Sequence, residues 1–281
     1  MEKSRKVRDL LNDAECQLQS LSSARLDAEV LLAYVINSGR ESLYAHPDKQ
    51  VPATLCADYQ SLVSKRADSF PVAYLTGNKE FWSSGLFVNC STLIPRPETE
   101  TLVESALGLI RHNAVMNILD LGTGSGAIAI AIAKERPLCH VTASDISSEA
   151  LSIARTNACR HQVTDIGFIQ SDWFSSLKGK VFDLILCNPP YVDSSDDGFL
   201  LGEIRFEPRI ALDGGHFGMQ SMNQIIPGAL QHLQHEGYLL IEHGFEQGES
   251  VRCLFSANKF IGVTTIKDYA GLERVTLARC P

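Results

Sequence analysis

The stretch Ile118-Leu119-Asp120-Leu121-Gly122-Thr123-Gly124-Ser125-Gly126 constrains this chain more than any other. A short apolar run leads into three alternating glycines and then into Ala127-Ile128-Ala129-Ile130-Ala131-Ile132. Strand, tight loop and helix in that order open a βαβ unit, which demands a parallel sheet. The pattern continues to the C-terminus. Strands are expected at 117–121, 141–144, 167–170, 182–187, 238–242, 263–267 and 274–277. Helices are expected at 127–135, 148–159, 219–234 and 247–257. Such alternation specifies an α/β fold, a mostly parallel sheet covered on both faces. The last two strands are joined closely enough to run antiparallel.

The glycines let the backbone turn sharply and let a ligand approach it, and the helix beyond offers unpaired N–H groups. The loop alone leaves the ligand open, because Gly122, Gly124 and Ala127 also satisfy the dinucleotide fingerprint G-x-G-x-x-G/A. Asp145, at the end of the second strand, is the expected partner of ribose hydroxyls in either case. Two features favour S-adenosylmethionine. Asp120 stands just before the loop, where the amino acid end of that ligand would sit. Ser171-Asp172-Trp173 ends the third strand and places a polar pair-former and a large ring where adenine would lie.

The fourth strand runs into Asn188-Pro189-Pro190-Tyr191, and open α/β folds bind ligands outside the carboxyl ends of their strands. Asn-Pro by itself marks ordinary turns. Two consecutive prolines, however, hold extended backbone and lack N–H groups. What remains is a stiff row of acceptors, the Asn188 oxygen and nearby carbonyls, beside the ring of Tyr191. That arrangement suits a planar group bearing an –NH2.

Residues up to about 70 read as a small helical bundle. Val7, Leu10, Leu11, Ala14, Leu18 and Leu21 recur at helical spacing, a second helix follows Ser22 or Ser23, and a third follows Pro52. Lys3, Arg5, Lys6 and Arg8 form a basic cluster, read as a solvated helix start rather than a phosphate contact. Residues 73–94 change to short strands, Tyr74 to Gly77 and Phe81 to Val88, expected as a hairpin. Domains are therefore expected at 1–72 and 96–281 with a linker at 73–95. Pro97, Glu98 and Glu100 form a good helix start.

Composition narrows the class. The 281 residues are 44% hydrophobic, with no apolar leader after the charged first residues and no membrane-spanning run. Eight scattered cysteines without a C-x-x-C pair point to a reducing cytoplasm rather than a disulfide framework or a zinc site. His232 and His235 lack a third ligand, so no metal is expected. The net charge of −8 argues against a surface built to track nucleic acid.

The chain resembles the N5-glutamine methyltransferases of peptide chain release factors, the HemK/PrmC family, over nearly its whole length. The resemblance rests on Ala73-Tyr74-Leu75-Thr76-Gly77, Leu93-Ile94-Pro95-Arg96-Pro97-Glu98-Thr99-Glu100, the glycine loop from Asp120 to Gly126, Asn188-Pro189-Pro190-Tyr191, Arg205-Phe206-Glu207-Pro208 and Glu242-His243-Gly244. It implies a class I S-adenosylmethionine-dependent methyltransferase, Rossmann-like with seven strands, behind a helical N-terminal domain that holds the protein substrate. The cofactor would contact Gly122, Thr123, Gly124, Ser125, Gly126, Asp145, Asp172, Trp173 and Asn188. The acceptor glutamine, in the Gly-Gly-Gln loop of the release factor, would sit against Asn188, Pro189, Pro190 and Tyr191. Of these, Asn188, Pro189 and Tyr191 are the expected catalytic groups. A monomer without a nucleic-acid substrate is expected. Two other readings share the motif: a glutamine methyltransferase of a large-subunit ribosomal protein, and an adenine-N6 methyltransferase. His243 reads as a structural histidine, and Arg205 and Glu207 as residues ordering the loop after the motif.

Overall fold

The apolar stripe of the first residues folds as its spacing requires. The computed structural model describes residues 4–281, so Lys3 of the basic cluster lies outside the described residues. The chain divides into two units, one of residues 1–78 with Leu200–Phe206, the other of Lys79–Phe199 with Glu207–Pro281.

The first unit begins with β1 (Arg5–Lys6) and helices α1 (Val7–Gln17), α2 (Ala24–Val35) and α3 (Arg40–Ala45). Strand β2 (Gln50–Val51), antiparallel to β1, and helices α4 (Ala53–Ala67) and α5 (Val72–Thr76) complete it. Leu10, Leu11 and Leu18 meet Leu31, Leu32, Tyr59 and Val63 in one core. Arg5 pairs with Asp13 at 2.6 Å, and Lys6 and Arg8 both pair with Asp48 at 2.9 Å. Within the described residues the basic cluster is therefore neutralised in place. The strand expected at Tyr74 to Gly77 is instead helix α5, entered at Pro71 and closed by Gly77 in the left-handed region, φ 64°.

The second unit opens with a ribbon of β3 (Asn78–Phe81) and β4 (Ser84–Phe87), turned at Trp82 and Ser83, whose φ values are 47° and 53°. From Lys79 onward this ribbon falls in the second unit. Asn157 fixes it: its Oδ1 accepts from Phe87 N at 2.7 Å, and its Nδ2 donates to the carbonyls of Phe87 and Ser125, both at 2.9 Å. One side chain thus ties the ribbon to the glycine loop. A short 3-10 turn, Pro97–Thr99, then leads into α6 (Glu100–Leu109).

The sheet follows through β5 (Asn117–Leu121), α7 (Ala127–Glu135), β6 (His140–Asp145), α8 (Ser148–Arg160), β7 (Ile166–Gln170) and β8 (Phe182–Cys187). It ends with α9 (Gln220–Ala229), β9 (Leu233–Glu242), α10 (Gly248–Ala257), β10 (Ile261–Lys267) and β11 (Glu273–Arg279). The helix expected at 219–234 stops at Ala229, because Leu233 already begins the long strand β9. Strand order is β10-β11-β9-β8-β5-β6-β7; β11 is antiparallel to both neighbours and the other pairs are parallel. Alternate residues feed opposite cores: Leu184 and Leu186 pack on one face, Ile185 and Cys187 on the other. An antiparallel strand between β9 and β10 departs from the dinucleotide-binding order 3-2-1-4-5-6. Strand order reverses between β5 and β8, which opens a crevice at their carboxyl ends.

Candidate active site

The glycine loop leaves β5 through that crevice. Gly122, Gly124 and Gly126 have φ of 80°, 55° and 85°, a conformation that side chains resist. The N–H groups of Gly122 and Thr123 both donate to the Ser144 carbonyl at 2.8 Å, and Gly124 N donates to Asp145 Oδ2 at 2.8 Å. Asp145 Oδ1 accepts from Ser147 N at 2.9 Å, so the carboxylate is fixed at the end of β6. Burial raises its pKa despite these bonds.

Asp120 does not face the crevice. It is 1% exposed and lies beneath the loop, accepting from Thr123 Oγ1 at 2.5 Å and from Ala129 N at 3.1 Å. The residue braces the loop against the start of α7, and burial pushes its pKa up to about 7.

A cavity of about 570 Å³ occupies the crevice. Its wall contains all of Gly122, Thr123, Gly124 and Ser125, together with Asp145, Asp172, Trp173, Asn188 and Pro190. Gly126 caps α7 behind the wall, and a Cβ there would stand 3.1 Å from the Ala154 Cβ. A Cβ on Gly122 would stand 3.7 Å from the Trp173 ring, and one on Gly124 would meet nothing within 4 Å. The loop therefore borders open space beside an aromatic face. The wall also contains Thr99, Arg96 and Arg209, which sequence reasoning did not single out as lining residues.

The structure divides the Asn-Pro-Pro-Tyr motif. Asn188 and Pro190 reach the wall, while Pro189 is buried and Tyr191 turns towards Glu242, its hydroxyl 3.4 Å from Oε1. The Tyr191 ring packs against the core behind the motif. Burial, with the Glu242 carboxylate nearby, raises the Tyr191 pKa. Asn188 Nδ2 donates to Thr99 Oγ1 at 3.1 Å. Its oxygen has no donor among the described residues, so it remains an acceptor. Two glycines clamp the motif from outside: a Cβ on Gly218 would fall 2.0 Å from the Tyr191 carbonyl, and one on Gly214 would fall 2.7 Å from Tyr191 Cα. The Gln247 amide donates to the same carbonyl at 3.0 Å.

Neighbouring segments are held equally tightly. Glu207 is buried and accepts from Ile94 N at 3.0 Å and from the Arg96 guanidinium. It fixes the Leu93-to-Arg96 part of the wall, whereas Arg205 belongs to the first unit and donates to the Asp68 carbonyl. Glu100 accepts from Trp82 N at 2.8 Å and so holds the ribbon rather than the cavity. His243 is fully buried, with its ring nitrogens 2.9 Å from the Gly244 carbonyl and 2.8 Å from Thr276 Oγ1, and burial lowers its pKa. His232 stacks on Phe174 at 4.7 Å.

An antiparallel-edged α/β sheet with a glycine loop, a ribose-competent acid and an amide acceptor at one crevice defines a class I methyltransferase. Comparisons agree. Residues 100–204 match the methyltransferase small domain and residues 9–77 the PrmC N-terminal domain. The fold is shared with a methyltransferase from Pyrococcus furiosus (TM-score 0.54, 18% identity, 79% of this chain and 98% of that one). It is shared too with a ribosomal protein L11 methylase from Lactobacillus delbrueckii subsp. bulgaricus (TM-score 0.50, 22% identity, 66% and 81%). Release factor glutamine methyltransferase of Salmonella typhimurium is 45% identical over 96% of this chain and 97% of its own length. That of Xylella fastidiosa strain Temecula1 is 44% identical over 92% and 94%. This chain belongs to the release factor glutamine methyltransferase family.

Proposed function

We propose that the chain transfers a methyl group from S-adenosyl-L-methionine to the side-chain amide nitrogen, N5, of the glutamine in the Gly-Gly-Gln motif of peptide chain release factors. The carrying observation is the Asn188 carboxamide, whose nitrogen is committed to Thr99 while its oxygen is left as an acceptor on the wall that the glycine loop also lines.

The residues present fit the cofactor. The space bordered by Gly122 and Gly124 admits a ligand against the backbone, Asp145 offers a carboxylate for ribose hydroxyls, and Trp173 offers a face for adenine. Asp172 supplies a polar edge beside that ring, and acidic lining suits a sulfonium cation. When bound, the cofactor supplies an electrophilic methyl group. The protein's task lies with the acceptor. An amide nitrogen is a poor nucleophile because its lone pair is delocalised into the carbonyl. Asn188 Oδ1 and the Pro189 carbonyl accept its two protons and orient it. The same two acceptors stabilise the positive charge that develops on nitrogen, the converse of an oxyanion hole. No strong base is needed, because an N-alkylated amide cation loses its proton readily.

The helical unit, in this reading, holds the release factor while the second unit performs transfer. Eight unpaired cysteines and a translation-factor substrate fit a reducing cytoplasm. Among the described residues no helix is long and apolar enough to cross a membrane. Peptide mass analysis tests the assignment: incubation should add one methyl group to the Gly-Gly-Gln peptide of a purified release factor. An unmodified peptide beside a methylated ribosomal protein would reassign the substrate.

A further inference from the structure

We propose that the ring of Phe217, at the rim of the cavity, is the platform on which the Gly-Gly backbone before the acceptor glutamine lies. This inference rests on the release-factor reading above and deepens it: it names what the second unit uses to hold the substrate loop beside the acceptor site.

Two unfavourable features set Phe217 apart. Its backbone is left-handed, φ 54° and ψ 16°, a region that a bulky side chain resists. The residue is also 69% exposed, so its ring gains little from the core. Neither feature helps the fold. Such positions gather where a protein clamps a ligand. The ring of His216, on another exposed residue, lies against that of Phe217 with centroids 3.9 Å apart, so the platform is backed by a second ring.

The place of this ring follows from its chain neighbours. Gly215 and Gln220, on either side of the turn His216–Gly218, both belong to the cavity wall. The Gln247 carboxamide nitrogen donates to the Phe217 carbonyl at 3.1 Å and to the Tyr191 carbonyl at 3.0 Å, while its oxygen accepts from Gly244 N at 2.8 Å. Both ends of the carboxamide are engaged in one sense only, so it cannot flip. A single nitrogen thus ties the Phe217 turn to the end of the acceptor motif. The segment before the turn is tied there too, through Gly214 N, which donates to the Val192 carbonyl at 2.8 Å.

The chemistry of the substrate names the occupant. A glutamine amide seated at Asn188 keeps the two residues before it near the mouth of the cavity, since two extended residues reach only about 7 Å. Those residues are glycines. Without a Cβ their peptide planes can lie flat on an aromatic face. The same lack makes the segment hard to order, because glycine loses more freedom on being fixed than any other residue. A ring with two torsions, on a backbone already held, orders it with little entropy lost on the enzyme's side.

The test is a cycle between enzyme and substrate, read as steady-state kinetics of the full-length enzyme on a purified release factor. Phe217→Gly removes the ring and relieves the left-handed backbone, so its thermal unfolding should come no earlier than that of wild type. It should raise KM for the release factor about tenfold, the scale of one aromatic contact, while Kd for S-adenosylmethionine by calorimetry stays unchanged. Phe217→Tyr keeps the ring and should remain within about twofold of wild type. Changing the glycine next to the acceptor glutamine to alanine should lower kcat/KM about tenfold for wild type and less than about threefold for Phe217→Gly, because the flat contact is already gone. Wild-type KM in Phe217→Gly, or an undiminished alanine penalty in that variant, would overturn the proposal. So would a wild type that sediments as a dimer and a Phe217→Gly variant that sediments as a monomer, which would assign the ring to self-association. Should the glycine variant not fold, Phe217→Asn runs the same cycle. A wild type silent on the release factor would sink the substrate reading and this proposal together, whereas an active wild type with an unaltered variant sinks the proposal alone.

Discussion

At the scale of single residues, the site depends on polar groups whose settings are dictated by burial. Asn188 is the clearest case: removing its oxygen leaves one N–H of the acceptor amide unpaired at the moment charge develops. Asn188→Ala should lower kcat by roughly 10²–10³, as loss of one preorganised polar contact does, and steady-state assays at saturating cofactor check it. Asp120 makes the opposite kind of prediction. Burial lifts its pKa from the ordinary carboxylate range, about 3.9, to about 7, so between those values the fold holds a proton that the unfolded chain has lost. Its contribution to stability is therefore present at low pH and lost as pH rises through about 7. Urea unfolding at pH 5 and pH 8 should show that loss, and Asp120→Asn should shrink it; a wild type whose Asp120-dependent stability rises with pH would contradict the assignment. The motif residues and the loop acid were legible because their types and spacing are rare. The orientation of Tyr191 and the position of Asp120 below the loop were not. Each depends on which face of a strand end meets the core, and neither Asn-Pro-Pro-Tyr nor Asp-Leu-Gly reveals that.

At the scale of elements, strands β5 and β8 and helix α7 fall at their expected bounds, because both periodicity and glycine punctuation mark them. The misread pieces are short. Tyr74-Leu75-Thr76 is an apolar run too brief for periodicity to separate helix from strand. Its flanking Pro71 and Gly77 were the usable signals, since they occupy the two cap positions of α5. The turn at Trp82 and Ser83 has positive φ at two residues without glycine, so no turn signature announced it. The hydrogen bonds from Asn157 that join ribbon to loop span 70 and 32 residues and leave no local trace. Gly126 tests the loop as an element. Its left-handed φ of 85° and the nearby Ala154 backbone both oppose a side chain. Gly126→Ala should destabilise the second unit by at least about 1–2 kcal/mol and weaken S-adenosylmethionine binding, measured by thermal unfolding and calorimetry. Unchanged values in both would show that the left-handed conformation is not required.

At the scale of the whole molecule, the least legible feature is the return of residues 200–206 to the helical unit. Arg66 organises that return: it pairs with Asp27 and with Glu203, both at 2.7 Å, and its side chain is 4% exposed. Phe206 packs on Phe70 with ring centroids 4.8 Å apart. Glu203 and Phe206 lie more than 130 residues from Arg66 and Phe70 in the chain, beyond the reach of any local pattern. Arg66→Met leaves the Asp27 carboxylate buried and uncompensated, and should cost the helical unit about 3–5 kcal/mol, seen as early unfolding and as proteolytic cleavage near residue 203. The central claim, however, concerns the reaction. The most direct measurement is transfer of label from S-adenosyl-[methyl-³H]methionine to a purified release factor, a ribosomal protein and duplex DNA, each beside a control lacking its glutamine or adenine. Label on the release factor that disappears when its Gly-Gly-Gln glutamine is changed to alanine is the predicted result. Label on DNA alone would contradict the account, since the planar-amine acceptor at Asn188 would then serve adenine.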